Sequence, residues 1–277
     1  MRIQHFVLES LFRIFGNINY HKPKFRILNI HDILEKDFDS LERILIHLKK
    51  DWIFIDPFKI NELNKIKKNY ILLTFDDGYK SQKLFADKIL KKHEIKAIFF
   101  VVTAFMECNS KEEAKNFVLK NIDKSIDKNF ERFSEIDNMN FDDLNELHAL
   151  KHVIGSHTVN HKMLTEIKEN EYLNFEIYNS KKTLETMLNS KIDNFAWTYG
   201  DINSINKKVF KIIEKNYKNI FSGIRGDNFK VKSKSVFFRD ELSPFYSLEL
   251  VDAFLNGYSD PYYYKNREKL LDFEADV

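Results

Sequence analysis

Two short stretches hold residues suited to hydrolytic chemistry. In "ILLTFDDG" (71–78) an apolar, β-branched run leads straight into Asp76 and Asp77, with Gly78 behind them. In "GSHTVNH" (155–161) His157 and His161 stand four residues apart. Two carboxylates at the end of a buried strand repel each other, and that cost disappears if one of them ligates a cation. Two imidazoles at i and i+4 share one side of a helical turn, a frequent metal-ligand spacing. Alone, such a pair more often caps a turn or sits on the surface. With a strand-end carboxylate it makes a three-ligand face that leaves positions open for water and substrate. Asp77, His157 and His161 would then hold one divalent ion, zinc first, with cobalt, nickel, iron and manganese accepted by the same ligand types. Asp76 is left free as general base toward a water whose pKa the ion brings toward ~7. Gly78 lets the chain turn after the acids without a Cβ clash.

The elements that must position these groups alternate in type. Apolar runs predict strands at 25–30, 52–55, 71–75, 97–102, 152–156, 194–197, 219–222 and 236–238. Apolar residues at three- and four-residue steps predict helices at 38–50, 81–93, 141–150, 166–188, 204–216 and 247–256. Strands alternating with helices imply α/β class and a parallel sheet, open or closed into a barrel. His31, the Asp76–Asp77 pair, His157, Tyr199 and Arg239 each follow a predicted strand. The C-terminal ends of parallel strands form the face that carries active sites. Residues 104–140 read as a helical insertion, either a lid over that face or a surface excursion without a role. Residues 1–24 read as an N-terminal helical extension. Its apolar spacing at 1–16 suits packing on the domain or, alternatively, lying on a membrane surface. Positions 1–277 are taken as one catalytic domain.

Composition narrows the classes. The chain has 277 residues, 43% of them hydrophobic and 14% aromatic, enough for a sizeable core. Lys plus Arg number 44 against 42 acids, a net charge of +2, which gives no reason to invoke nucleic acid. The basic runs at 65–68 and 230–234 read as solvated faces. No run approaches ~20 apolar residues, so no membrane span is expected. A single cysteine, Cys108, excludes an internal disulfide. With an N-terminus unlike a signal peptide, this suggests a cytoplasmic protein.

With these motifs in place, the sequence resembles the metal-dependent polysaccharide deacetylases, the NodB-homology carbohydrate esterases. "LLTFDDGYKS", "KAIFFV", "IGSHTVNHKMLTE" and "FAWTYGD" occur in that family's order. The resemblance spans about 25 to 240. It implies a distorted (β/α)7 barrel, a metal site of Asp77, His157 and His161, Asp76 as base, and Thr158 steadying the histidine loop. It also implies that the backbone N–H of Tyr199 holds the oxyanion. The third motif departs from the family pattern. Thr198 stands where a Pro is usual, and Ala196 where an Arg orients the base. Trp197 replaces a Tyr, and either stacks on a sugar or fills the core. Arg239 is the candidate substitute for the missing Arg, through Asp76, unless it pairs with Asp240 or Glu241 instead. No histidine follows His161, so the late catalytic His of many members has no counterpart. "ILNIHD" resembles the early element of a permuted subset, which makes His31 the candidate general acid. His148 and His152 are expected to be structural or exposed.

The function expected is metal-dependent N-deacetylation of an amino sugar, within a nucleotide- or lipid-linked glycan precursor. The alternatives are an inactive carbohydrate-binding protein on the same scaffold and an amidase or esterase with a non-sugar substrate. The expected partner is the amino-sugar substrate; the oligomeric state is left open.

Overall fold

The structure, a computed structural model, describes residues 23–63, 67–127, 131–229, 233 and 235–275. The expected N-terminal helix lies almost wholly outside the described residues, as do parts of both basic runs. Among the described residues, nine strands form one sheet: β1 (Phe25–Ile30), β2 (Trp52–Phe54), β3 (Asn69–Asp77), β4 (Ala97–Val101), β5 (Val153–Ser156), β6 (Asn194–Ala196), β7 (Asn219–Phe221), β8 (Val236–Phe237) and β9 (Asp240–Glu241). The order is β8-β7-β6-β5-β4-β3-β1-β9, with β2 alongside the start of β3, and the pairings are parallel. β8 bonds to β7, β9 bonds to β1, and only Phe238 and Arg239 separate β8 from β9. One short run therefore joins both edges and closes the sheet. The staves are β1, β3, β4, β5, β6, β7 and the β8–β9 run, which is the distorted (β/α)7 barrel expected.

The two-residue alternation of strand side chains sorts each strand between lumen and helix layer. Phe25 and Ile27 of β1, Leu72 of β3, Ile98 and Phe100 of β4 and Phe221 of β7 form one buried cluster inside the barrel. Leu28, Ile30, Leu73, Phe75 and Phe99 belong to the larger cluster shared with the helices. Both faces being buried, the strands read as continuous apolar runs. Helix Phe38–Leu48 shows the complementary pattern, burying Phe38, Leu41, Ile44, Leu45 and Leu48 along one stripe. Each such Leu or Ile contributes roughly 1.5–3 kcal/mol. A C-terminal helix, Tyr264–Ala275, was not expected from the sequence. It buries Leu270 but lacks a strong apolar stripe.

The same alternation continues past the apolar lumen to its mouth. Asn29, Thr74 and Asp76 are the next lumen-facing positions of β1 and β3, and all three are buried. The barrel is thus apolar at one end and polar at the other.

Candidate active site

The mouth is a cleft of about 300 Å³ lined by His31, Asp76, Asp77, His157, His161, Tyr199 and Arg239, among others. The structure brings together all the expected site residues, although Trp197 does so in a different capacity.

Asp76 and Asp77 are sequence neighbours, so an ordinary strand would aim them to opposite faces. Asp77 instead has φ 80° and Gly78 φ 98°. This left-handed turn swings the Asp77 carboxylate back toward the lumen. A Cβ at Gly78 would lie 2.4 Å from Met106 Cε, which that flexible side chain could yield to, so it is the backbone conformation that calls for glycine. The histidines show a related difference from expectation. Residues 157–163 are an irregular loop, not a helical turn, and Thr158 (φ 70°) and His161 (φ 55°) are left-handed. The imidazoles converge by loop geometry, with centroids 5.1 Å apart. Left-handed backbone costs a non-glycine residue on the order of 1–2 kcal/mol. Four of the seven such residues described, Asp77, Thr158, His161 and Tyr199, surround this cleft. Strain of this kind concentrates at functional sites.

Asp77 Oδ1 lies 3.6 Å from His157 Nε2 and 3.4 Å from His161 Nε2. One ligand atom from each of the three residues falls within 4.8 Å of the others. His157 Nδ1 meets the Ala196 carbonyl at 2.7 Å, and His161 Nδ1 meets the Asn121 carbonyl at 3.0 Å. A carbonyl only accepts, so each Nδ1 carries the proton and each Nε2 presents a bare lone pair. Burial pushes both imidazoles down to about 4, so they are neutral near pH 7. Burial also pushes the Asp77 carboxyl up. Its Oδ1 is buried with no hydrogen-bond partner. An orphaned carboxylate oxygen facing two imidazole lone pairs is a donor set that fits a divalent cation.

Asp76 has the opposite surroundings. Arg239 grips it with Nη1–Oδ1 at 2.7 Å and Nη2–Oδ2 at 2.9 Å, and Asn29 Nδ2 donates to Oδ2 at 3.0 Å. Burial alone would raise its pKa. The Arg239 charge, then His157 and the Arg239 hydrogen bonds, outweigh burial and hold the carboxyl well below the usual range. Arg239 sits in the seam between β8 and β9 and also donates to Ser222 O and Asn29 Oδ1. It does not pair with Asp240, which is held by Arg26 at 2.7 Å. His31 follows β1 with Nε2 3.9 Å from Asp76 Oδ2 and its side chain 46% exposed, on the rim.

Tyr199 is also 46% exposed, with its ring 5.2 Å from that of His161. Its amide finds no acceptor among the described residues. Trp197 is fully buried, its indole N–H donating to Ser204 Oγ at 3.1 Å. β6 alternation turns it toward the helix layer, so it has no exposed face for a sugar. Tyr199 is the exposed aromatic at the cleft, whereas Tyr79 and Trp197 line it from buried positions. His152 is a structural residue, accepting from the Ala97 amide at 3.2 Å. Thr158 Oγ1 accepts from the His161 amide at 3.0 Å, steadying the loop as expected.

Three groups escaped the sequence reading. Asn29 reads as an ordinary strand residue, although its place two before His31 puts it on the lumen face. Asn121 acts through its carbonyl, which no side-chain motif reveals. Arg132 lines the cleft and reaches Asp32 at 3.1 Å. The last two belong to the 104–140 insertion, which therefore touches both the second histidine and the loop bearing His31.

The polysaccharide deacetylase family model matches residues 64–217, more than half of the chain, and the chain belongs to that family. Solved structures agree on the fold. The Streptococcus pyogenes deacetylase PplD in complex with acetate is 21% identical, with a TM-score of 0.63 over 83% of this chain and 96% of that one. IcaB from Ammonifex degensii is 18% identical, with a TM-score of 0.65 over 85% and 98%. A de-N-acetylase from Aggregatibacter actinomycetemcomitans is 15% identical, with a TM-score of 0.62 over 84% and 100%. No curated protein matches the chain significantly.

Proposed function

We propose that this protein is a metal-dependent N-deacetylase that hydrolyses the N-acetyl group of an amino sugar. The observation that carries the reading is the unpartnered Asp77 Oδ1 facing two bare imidazole nitrogens, beside a carboxylate kept ionised by Arg239. Asp77, His157 and His161 would hold the cation, with zinc placed first among the metals this ligand set accepts. A divalent ion there supplies an acidified water and polarises the acyl oxygen.

The chain's own residues do the rest. Asp76, kept ionised at neutral pH in the resting site, accepts a proton from the attacking water. Arg239 and Asn29 fix the direction of its lone pairs. Their grip also lowers its proton affinity, so the water it serves must itself be acidic. The Tyr199 amide donates to the oxyanion that develops on the acyl oxygen. His31 delivers a proton to the departing nitrogen, leaving acetate and a free amine. The cleft has room for a single acetamido sugar, and a nucleotide- or lipid-linked precursor is the form of it we put first.

The test is acetate release from N-acetyl sugars in nucleotide-linked, lipid-linked and polymeric form, with and without chelator. The proposal expects release from at least one of them, lost with chelator and restored by zinc or cobalt. Metal-loaded protein that releases no acetate from any of them overturns it.

A further inference from the structure

The loop between the two histidines is held by a residue that does not reach the cleft. Glu176 is fully buried. Its Oε2 accepts from the Val159 amide at 3.1 Å and from the Asn160 amide at 2.8 Å. Its Oε1 accepts from Asn160 Nδ2 at 2.8 Å. Three donors therefore converge on one carboxylate, all from the two residues midway between His157 and His161. The same loop carries the left-handed Thr158 and His161, a backbone strained enough to need support beyond its own Thr158–His161 hydrogen bond.

The helix that supplies Glu176 is irregular at that point. Residues 170–188 are helical, but Phe175–Asn179 form a π-turn. Such turns recur in helices at functional sites. This one places a buried acid against the amides of the histidine loop.

We infer that Glu176 is a positioning residue that sets the cation affinity of the Asp77–His157–His161 cluster by holding the histidine loop in its ligating shape. The inference rests on the reading of that cluster as a cation site. Removing a group that orients ligands weakens metal binding by about 10- to 100-fold. Glu176→Gln keeps the shape of the side chain but loses the charge and one acceptor. Glu176→Met removes every acceptor.

The experiment measures zinc affinity by competition with a chromophoric chelator, together with melting of the metal-free protein. Wild type, Glu176→Gln, Glu176→Met and the exposed same-helix control Glu171→Gln are compared. Zinc binding about 10-fold weaker in Glu176→Gln and about 100-fold weaker in Glu176→Met is expected, with the control unchanged. Excess zinc should restore the kcat of Glu176→Gln. If Glu176→Met does not fold, Glu176→Gln alone decides. Wild-type affinity in a folded Glu176→Gln, even with a lower melting temperature, overturns the inference and leaves a stabilising role only. Absence of zinc binding in the wild type overturns the cluster reading instead, so the two failures are distinct.

Discussion

Toward the β1–β9 wall of the cleft, Asp76 near the end of β3 is enclosed by Arg239 and Asn29, with both oxygens bonded. Toward the β4–β5 wall, its β3 neighbour Asp77 is as deeply buried, yet its Oδ1 has no partner and two imidazoles from the loop after β5 present lone pairs to it. The first wall supplies its own counter-charge from within the chain. In the proposed function, the second takes its counter-charge from a bound cation. A fold that can seat an arginine against one carboxylate could have seated another beside its neighbour. The asymmetry therefore reads as a division of labour, an internally balanced base beside a site left short of one positive ion.

Substitutions that exchange the characters of the two walls should separate them most sharply. Asp77→Asn removes the charge that the cation would meet, and turnover should drop by ~10^4-fold, several kcal/mol at about 1.4 kcal/mol per tenfold, with metal lost. Asp76→Asn should cost about 10^2- to 10^4-fold in kcat while metal stays bound. Acetate release paired with elemental analysis of the purified proteins checks both.

Arg239→Met attacks the balanced wall. It leaves a buried carboxylate uncompensated, so folding stability should fall by roughly 3–5 kcal/mol in denaturant titration. With the largest charge opposing burial gone, the Asp76 pKa rises, and the acid limb of kcat/KM should move to higher pH. His31→Gln should reduce kcat by about 10^2-fold, since the exposed proton donor on the rim is replaced by a side chain that cannot deliver a proton to the leaving nitrogen.

The last effect concerns the metal-free protein. His157 and His161 fall to about 4 in the fold from an unfolded value near 6.5. Between these values the unfolded chain binds more protons, so stability is lost as pH drops from about 6.5 toward 4. Asp77, whose carboxyl burial pushes up, works in the other direction and offsets part of the loss. Melting of chelated protein should decline by several degrees across that window, and bound metal should lessen the decline. A flat profile would mean that the imidazoles are not held neutral by burial.

Much of this was legible in the sequence because it lies in strands. β1 was expected at 25–30 and is found there, and the polar residues at strand ends follow from the parallel order of the sheet. The convergence of 77, 157 and 161 was anticipated, but the means was not. It depends on left-handed backbone at Asp77, Thr158 and His161, which no propensity rule assigns to Asp, Thr or His in advance. β9 was missed because "DE" has no apolar signal and pairs only by closing the barrel. Trp197, standing where the family has a Tyr, reads in the sequence as either stacking on a sugar or filling the core. Its side of the strand, settled by alternation from Ala196, sends it into the helix layer.

The most direct test of the two-wall account is a zinc titration of wild type, Asp76→Asn and Asp77→Asn, followed by calorimetry. The account predicts one equivalent bound by wild type and by Asp76→Asn, and none by Asp77→Asn. Wild-type binding by Asp77→Asn, or binding lost only in Asp76→Asn, would contradict it.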